Sequence, residues 1–190
     1  AAHGKATIMP HIPPQPAIDR LTPFGHSAIV VGISPSLPDL VAATACSLAA
    51  AIGSPCIYFA YADASRYVVK EYDDGTVRHQ SLSSDSLDDG WTAREERFVR
   101  KLGAMMEGSQ VPWEFRYLAG RPDRALTHLA RAVDAAVIVV GTRAPGTRAH
   151  IREMVEGSVA YHLAQHQHRP VLTVPLSVVD WKATTSVWDH

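Results

Sequence analysis

The sequence predicts an α/β domain with three layers, in which helices cover both faces of a five-stranded parallel sheet. Short β-branched runs, which indicate buried strands, alternate with longer segments of helical periodicity. Strands and helices that alternate along a chain form a parallel sheet with right-handed crossovers. The 190 residues include 46 % hydrophobic side chains, so we expect one domain with a substantial core.

Two terminal segments flank the predicted domain, which spans residues 28–175. Residues 1–27 contain five prolines and few large apolar groups, a composition typical of an extended arm. Residues 176–190 form a C-terminal tail. The tail contains Trp181 and Trp188, which favour packing on the domain or on a second subunit.

The first two strands are predicted on either side of an Ala-rich helix. Residues 28–32 form a buried strand that ends in glycine, and residues 56–61 form the next strand. The helix between them ends at Gly53. Either Ser36 or Asp39 can cap its N-terminus.

Residues 62–91 are polar and rich in Ser and Asp. We interpret them as a long excursion over the surface of the domain, in which the acidic pairs at 73–74 and 88–89 are solvated loop charges. A small hairpin around Asp74 and Gly75 is the alternative, because an Asp-Gly pair favours a tight turn.

The second half of the chain supplies three more strands. Thr92 and Glu95 have the spacing of a capping box and predict a helix over residues 93–107. Residues 113–118 alternate between apolar and polar side chains, which predicts an edge strand. The remaining elements are, in order, a helix over residues 122–133, a buried strand over 136–140, a helix over 155–167 and a closing strand over 170–174.

A glycine-containing loop joins the fourth strand to the last helix. Gly141 and Gly146 permit positive φ and a close approach of a ligand to the backbone. Gly157 and Ser158 lie near the start of the helix, where free N–H groups and the helix dipole favour anions such as phosphate. This arrangement predicts a nucleotide site, although a purely structural turn explains the glycines equally well.

These motifs resemble the universal stress protein family over residues 28–174. The family pattern is Gly-x2-Gly-x9-Gly-Ser/Thr followed by Val, with a closing strand Pro-Val-Leu-x-Val. The residues that match are Gly141, Gly157, Ser158, Val159 and the segment 170–174. Two features depart from the pattern: Ala144 replaces the second glycine, and the loop is about three residues longer than in the family.

The resemblance implies the strand order 3-2-1-4-5 of the adenine nucleotide alpha hydrolase-like folds. Ligands of such sheets bind where the winding reverses, here between the first and fourth strands. The family has a branch that binds ATP with Mg²⁺ and a branch that keeps the fold without nucleotide. In the ATP-binding branch an Asp follows the first strand, whereas Ser34 occupies that position here.

The resemblance also assigns candidate binding residues in this chain. Backbone groups near the end of the second strand would contact the adenine, and the arginines of the loop would balance phosphate charge unless they are ordinary surface arginines. Besides Arg143, that loop contains Arg148 and Arg152. The candidate cofactor-binding residues are Ser34, Phe59, Gly141, Arg143, Gly146, Gly157, Ser158 and Val159.

The implied function is that of a cytoplasmic, universal stress-type regulator that dimerises through its fifth strand, residues 171–174. The rival hypothesis is a structural or interaction module of the same fold without a nucleotide. An enzyme is a third and weaker hypothesis, because no activated nucleophile or acid–base pair is evident and at most weak ATP hydrolysis is expected.

Composition and missing motifs argue against other classes of function. A net charge of −1 provides no basic field for nucleic acid, and no apolar run reaches the about 18 residues of a membrane-spanning helix. The N-terminus lacks the apolar core of a signal peptide.

Cys46 and Cys56 indicate reduced core thiols. His162 and His166 have metal-ligand spacing, but without an adjacent Glu we predict no metal.

Overall fold

The centre of the protein is a five-stranded parallel sheet, seen in a computed structural model that describes residues 15–83, 90–142 and 159–176. The sheet order is β5-β2-β1-β6-β7, and β3 and β4 form a separate hairpin. Without the hairpin this is the predicted order 3-2-1-4-5, which is therefore confirmed. The strands are β1 (Ile29–Gly32), β2 (Ile57–Asp63), β3 (Arg66–Glu71), β4 (Val77–Ser81), β5 (Trp113–Ala119), β6 (Val137–Gly141) and β7 (Val171–Val174).

Helices cover both faces of this sheet, so the predicted three layers are confirmed. The helices are α1 (Asp39–Ile52), α2 (Trp91–Met105), α3 (Pro122–Ala132) and α4 (Val159–His166). On one face, α1 and α2 form a core with Val31, Phe59 and Val139. On the other face, α3 and α4 form a second core with Val30 and Ile138. The central strands are buried on both sides, as expected for a parallel sheet.

Two predicted helix caps are wrong. The N-cap of α1 is Pro38, which makes no capping side-chain hydrogen bond, so neither Ser36 nor Asp39 has that role. The N-cap of α2 is Gly90, and Thr92 lies inside the first turn rather than before it. The predicted end of α1 is confirmed, because Gly53 adopts φ 63° and closes the helix.

The excursion predicted for residues 62–91 is wrong over residues 66–81, which form the hairpin that was the alternative. The turn of the hairpin is closed by Asp74, whose carboxylate accepts hydrogen bonds from the N–H and hydroxyl of Thr76. Gly75 follows with φ 81°, and a Cβ on it would lie 2.5 Å from Cδ1 of Leu129 in α3. The hairpin therefore packs against the domain, beside β5 and α3, instead of extending into solvent.

Parts of the predicted domain organisation lie outside the described residues. These parts include residues 1–14 of the Pro-rich arm and residues 177–190 of the tail, with Trp181 and Trp188. Residues 18–20 form a short 3₁₀ turn, and Thr22 donates a hydrogen bond to Asp134.

Within the three described ranges, no helix combines the length and the apolar character needed to cross a bilayer.

Candidate functional site

A crevice is placed between β1 and β6 by the topology of the sheet. These strands are neighbours, and Gly32 is paired with Val140. The helix that follows β1 packs on one face of the sheet, and the helix that follows β6 packs on the other. The chain therefore diverges at the carboxyl ends of these strands, where open α/β sheets bind ligands.

The loop after β1 is held in one conformation on one side of this crevice. The carbonyl of Ser34 accepts a hydrogen bond from the N–H of Leu37 at 2.9 Å. Leu37 is buried and has φ 41°, a left-handed conformation that costs about 1–2 kcal/mol for such a residue. Lys101 from α2 donates to the carbonyls of Ser36 and Leu37 at 2.8 and 3.1 Å. Ser34 itself is exposed, and its hydroxyl lies 2.9 Å from that of Ser36.

Protein side chains pack closely against the two glycines at the crevice. A Cβ on Gly32 would lie 2.7 Å from Cδ1 of Leu126, on the face covered by α3. A Cβ on Gly141 would lie 2.8 Å from Cδ1 of Leu176 and 3.0 Å from Cγ2 of Val41, on the face covered by α1. Both glycines thus have a steric reason to lack a side chain, independent of any ligand.

Hydrogen bonds join the chain after β6 to the chain after β7. The N–H of Thr142 donates to the carbonyl of Val174 at 2.8 Å. The N–H of Leu176 donates to the hydroxyl of Thr142 at 2.7 Å. Because the Thr142 amide is already paired, an incoming anion would have to be bound by groups further along the loop.

Phe59 lies in the core rather than at the crevice. Its side chain is fully buried, and its Cα partners in the sheet are Val31 on one side and Phe115 on the other. Its ring makes an edge-to-face contact with Trp113 at 6.2 Å. The side chain is therefore not accessible to a ligand.

The other predicted site residues fall into two groups. Val159 is the first residue of α4 and packs against the core below α3 and α4. Others lie outside the described residues: Arg143, Gly146, Gly157 and Ser158, together with Ala144, Arg148 and Arg152. The structure thus brings Ser34 and Gly141 to one edge of the sheet and leaves the phosphate side of the predicted site as a prediction.

A buried polar cluster at the end of β2 was missed by sequence reasoning. Asp63 accepts hydrogen bonds from Ser65, from the Tyr117 hydroxyl at 2.6 Å and from Arg94 at 2.6 Å. Burial raises the pKa of Asp63, but these hydrogen bonds and the Arg94 charge outweigh it, so the pKa lies below its ordinary value. An acidic residue at a strand end was the only signal in the sequence, since Arg94 and Tyr117 lie 31 and 54 residues away.

A second cluster anchors the hairpin beside Asp63. Arg66, which is buried, donates from Nε to Nδ1 of His79 at 2.7 Å. The His79 ring lies edge-to-face on Trp91 at 4.8 Å and also contacts Tyr117. Burial, followed by the charge of Arg66, lowers the pKa of His79, so the imidazole is held in its neutral form.

Two further features of the described residues bear on other kinds of site. The His162 and His166 rings stack with centroids 5.8 Å apart, and within the described ranges no three His, Cys, Asp or Glu side chains converge as a metal site would require. An open groove of about 600 Å³ runs along α1 beside Cys46 and Met105. Its lining is mostly apolar and includes the Ser47 hydroxyl.

The fold and the crevice define a three-layer α/β protein with a doubly wound sheet. The family model described as "Universal stress protein family" matches residues 26–175, which are 150 of the 190 residues. The chain therefore belongs to the universal stress protein family, and the resemblance seen in the sequence is confirmed. A search of curated proteins finds no match.

Solved structures with the same fold include several universal stress proteins. One, in complex with cAMP, is 23 % identical with a TM-score of 0.51 and covers 80 % of this chain and 99 % of its own. One from Archaeoglobus fulgidus, in complex with dAMP, is 17 % identical with a TM-score of 0.51. The match covers 78 % of this chain and 97 % of that protein. One from Burkholderia pseudomallei is 22 % identical with a TM-score of 0.52. The match covers 79 % of this chain and 96 % of that protein. At these identities the likeness establishes the fold.

Proposed function

We propose that this protein is a universal stress-type regulator that binds an adenine nucleotide in the crevice between β1 and β6. The observation that carries the proposal is the pairing of Gly32 with Val140, which brings the loops at Ser34 and Gly141 to the same edge of the sheet. Two proteins of the same fold form complexes with cAMP and dAMP, which supports adenine nucleotides as the ligand class.

The proposed ligands include ATP with Mg²⁺ as well as the mononucleotides. Ser34 offers one hydroxyl to the ribose, whereas the Asp expected in the ATP-binding branch would offer two carboxylate oxygens. We therefore expect the adenine and phosphate groups to provide most of the affinity. For this reason AMP, which has both groups and needs no metal, is the simplest probe.

Thermal unfolding in the presence of nucleotides tests the proposal. Free AMP at 100 times its Kd should stabilise the fold by about 2.7 kcal/mol, which raises Tm by about 5–10 °C in a domain of this size. GMP is the control for recognition of the base, and ATP with Mg²⁺ tests the longer phosphate chain. The absence of a shift with millimolar AMP, cAMP and ATP, or an equal shift with GMP, would contradict the proposal.

A matched pair of serine variants tests where the nucleotide binds. Ser34→Ala removes the exposed hydroxyl at the crevice and should weaken AMP binding. Ser47→Ala removes a hydroxyl from the groove along α1 and should leave AMP binding unchanged. A loss of affinity with Ser47→Ala alone would move the site to that groove.

A second candidate function is a ligand-free interaction module. The observation that favours it is the close packing of Leu126 against Gly32 and of Leu176 and Val41 against Gly141. In this case the glycines serve the packing of the sheet ends. The same thermal unfolding experiment separates the two functions, since the module should be indifferent to every nucleotide.

The proposal also includes a homodimer formed through β7 in the cytoplasm. Within the described residues β7 pairs only with β6, and Leu172 on it is 37 % exposed, so its outer edge is open to a second copy. Cys46 and Cys56 are free thiols, which fits a reducing compartment. Thr173→Pro removes a backbone donor from this edge. We expect it to convert a dimer to a monomer in light scattering, and a wild-type monomer would contradict the dimer.

The role is regulatory rather than catalytic in this proposal. The hydroxyls of Ser34 and Ser36 pair with each other at 2.9 Å, and among the residues that the structure describes neither is bonded to a His or a carboxylate that could activate it. We therefore expect at most weak ATP hydrolysis, and rapid turnover of ATP by the purified protein would contradict a regulatory role.

A further inference from the structure

We propose that Leu176 sets the affinity of the crevice for adenine nucleotides, because its side chain occupies the space beside Gly141 that a bound ligand would use. This inference rests on the proposed function, in which the crevice between β1 and β6 is the nucleotide site. It identifies a residue beyond the last strand as the determinant of affinity.

The Leu176 side chain lies directly over the end of β6. A Cβ on Gly141 would lie 2.8 Å from its Cδ1 and 3.3 Å from its Cγ. Cγ2 of Val41 would lie at 3.0 Å from the same Cβ, so Leu176 and Val41 of α1 both lie over this side of Gly141. Leu176 is partly buried and packs against the core below α1 and α2. The backbone at Gly141 is thus covered by methyl groups at the point where a ligand could approach it closely.

Two hydrogen bonds, one of them to the Thr142 side chain, hold Leu176 in this position. Its N–H donates to the Thr142 hydroxyl at 2.7 Å, and the Thr142 N–H donates to the Val174 carbonyl at 2.8 Å. These bonds connect the segment after β7 to the first residue after β6. The hydrogen bonds that position Leu176 therefore also occupy the N–H of Thr142, the first residue of the candidate phosphate loop.

The other glycine at the crevice is covered in a different way. Gly32 packs against Leu126, which belongs to α3, and Val140, which belongs to β6. Both residues lie within regular elements of the core, so the fold fixes the position of their backbone. Leu176 lies two residues beyond the end of β7, so it can be displaced without breaking the sheet. This difference identifies Leu176 as the covering residue that a ligand can displace.

The ligand test is a titration of the full chain with AMP, followed by calorimetry. If the covered state is about tenfold more populated than the open state, the apparent affinity of the wild type is reduced by about tenfold. We expect Leu176→Ala to bind AMP about tenfold more tightly than the wild type. Leu21→Ala is the matched control, because this leucine is 58 % exposed and its neighbour Thr22 bonds to Asp134, which precedes β6 at the end of the sheet opposite the crevice; it should bind like the wild type.

A ligand-free test examines the contact itself. Gly141→Ala should lower Tm, because its new methyl group would collide with Leu176 in a strand whose backbone accepts alanine. Adding Leu176→Ala to this variant should restore part of the loss, with Val41 accounting for the rest. Gly32→Ala is the control, since its collision is with Leu126 and Leu176→Ala should not rescue it.

The outcomes of these tests separate the inference from the proposed function. Equal AMP affinity of the wild type and Leu176→Ala would overturn the inference and leave the nucleotide site standing. Absence of AMP binding in both proteins would overturn the proposed function and the inference with it. Rescue of Gly32→Ala as well as Gly141→Ala by Leu176→Ala would also overturn the inference, because the effect would then not be local to Gly141.

Discussion

The Asp63–Arg94 pair should make a larger contribution to stability than the other ion pairs, and Arg94→Met tests this. The Asp63 carboxylate is almost fully buried, with 5 % of its side chain exposed, whereas the Arg94 side chain is 31 % exposed. Removing one partner of a buried pair costs roughly 3–5 kcal/mol. Asp63 keeps its hydrogen bonds from Ser65 and Tyr117, so we expect a smaller loss of about 2 kcal/mol, or about 4–8 °C in Tm.

Urea denaturation at two pH values measures this loss and its origin. In Arg94→Met the buried Asp63 has lost its cation, so its pKa should rise and the carboxylate should become neutral in mild acid. The loss of stability should therefore be smaller at pH 4 than at pH 7. Arg121→Met is the matched control, because the Arg121–Asp123 pair has an arginine with 48 % of its side chain exposed and should contribute less than about 1 kcal/mol.

A double-mutant cycle identifies the result that would refute this reasoning. In the presence of Asp63→Asn the buried charge is gone, so Arg94→Met should then cost at least about 1 kcal/mol less than it does in the wild type. Equal losses in both backgrounds, or a loss that does not change with pH, would mean that Arg94 acts through packing and not through the charge of Asp63.

Two further predictions concern the hairpin. Gly75→Ala should cost about 2 kcal/mol or more, because it combines φ 81° with a collision against Leu129, whereas Gly108→Ala has φ 79° in open space and should cost only about 1–2 kcal/mol in a urea titration. His79→Gln should flatten the fall of stability below pH 6.5. Because the pKa of His79 is lower in the folded protein than in the unfolded chain, the unfolded chain is protonated first as the pH falls. The stability that neutral His79 contributes above pH 6.5 is therefore lost as the pH falls toward the lowered pKa of the folded protein. An unchanged slope between pH 7.5 and pH 5 would contradict the role of the neutral His79 as acceptor for Arg66.

The layers of the fold could be predicted because they depend on local patterns. Runs such as Ile29–Gly32 and Val137–Gly141 are apolar on both faces, which in a chain of alternating helices indicates the centre of a parallel sheet. The edge position of Trp113–Ala119 was likewise visible in its alternation. The strand order required the family resemblance, since periodicity alone does not reveal which strands are neighbours.

The caps and the hairpin were harder to predict because local signals competed with tertiary contacts. Thr92 and Glu95 have the spacing of a capping box, but α2 begins earlier, at Trp91, whose ring packs on His79 and Tyr117. The hairpin strands have a weak apolar pattern, because part of their packing is supplied by polar and aromatic contacts such as the one between Arg66 and His79. Such contacts depend on the folded chain and leave no periodic pattern.

The juxtaposition of the loops after β1 and β6 was predicted, whereas the side chains that pack against them were not. Topology places the loops at Ser34 and Gly141 together, as the sequence and the resemblance indicated. The sequence did not indicate that Leu176 covers Gly141 or that Phe59 lies in the core. A glycine at the end of a strand looks the same in the sequence whether a ligand or a side chain fills the space beside it.

Amide chemical-shift mapping during an AMP titration tests the central claim most directly. Among the residues that the structure describes, we predict that the largest shifts belong to Ser34, Gly141, Thr142 and Leu176 at the crevice. Shifts confined to the groove along α1 around Cys46, or no shifts at millimolar AMP, would contradict an adenine nucleotide site between β1 and β6.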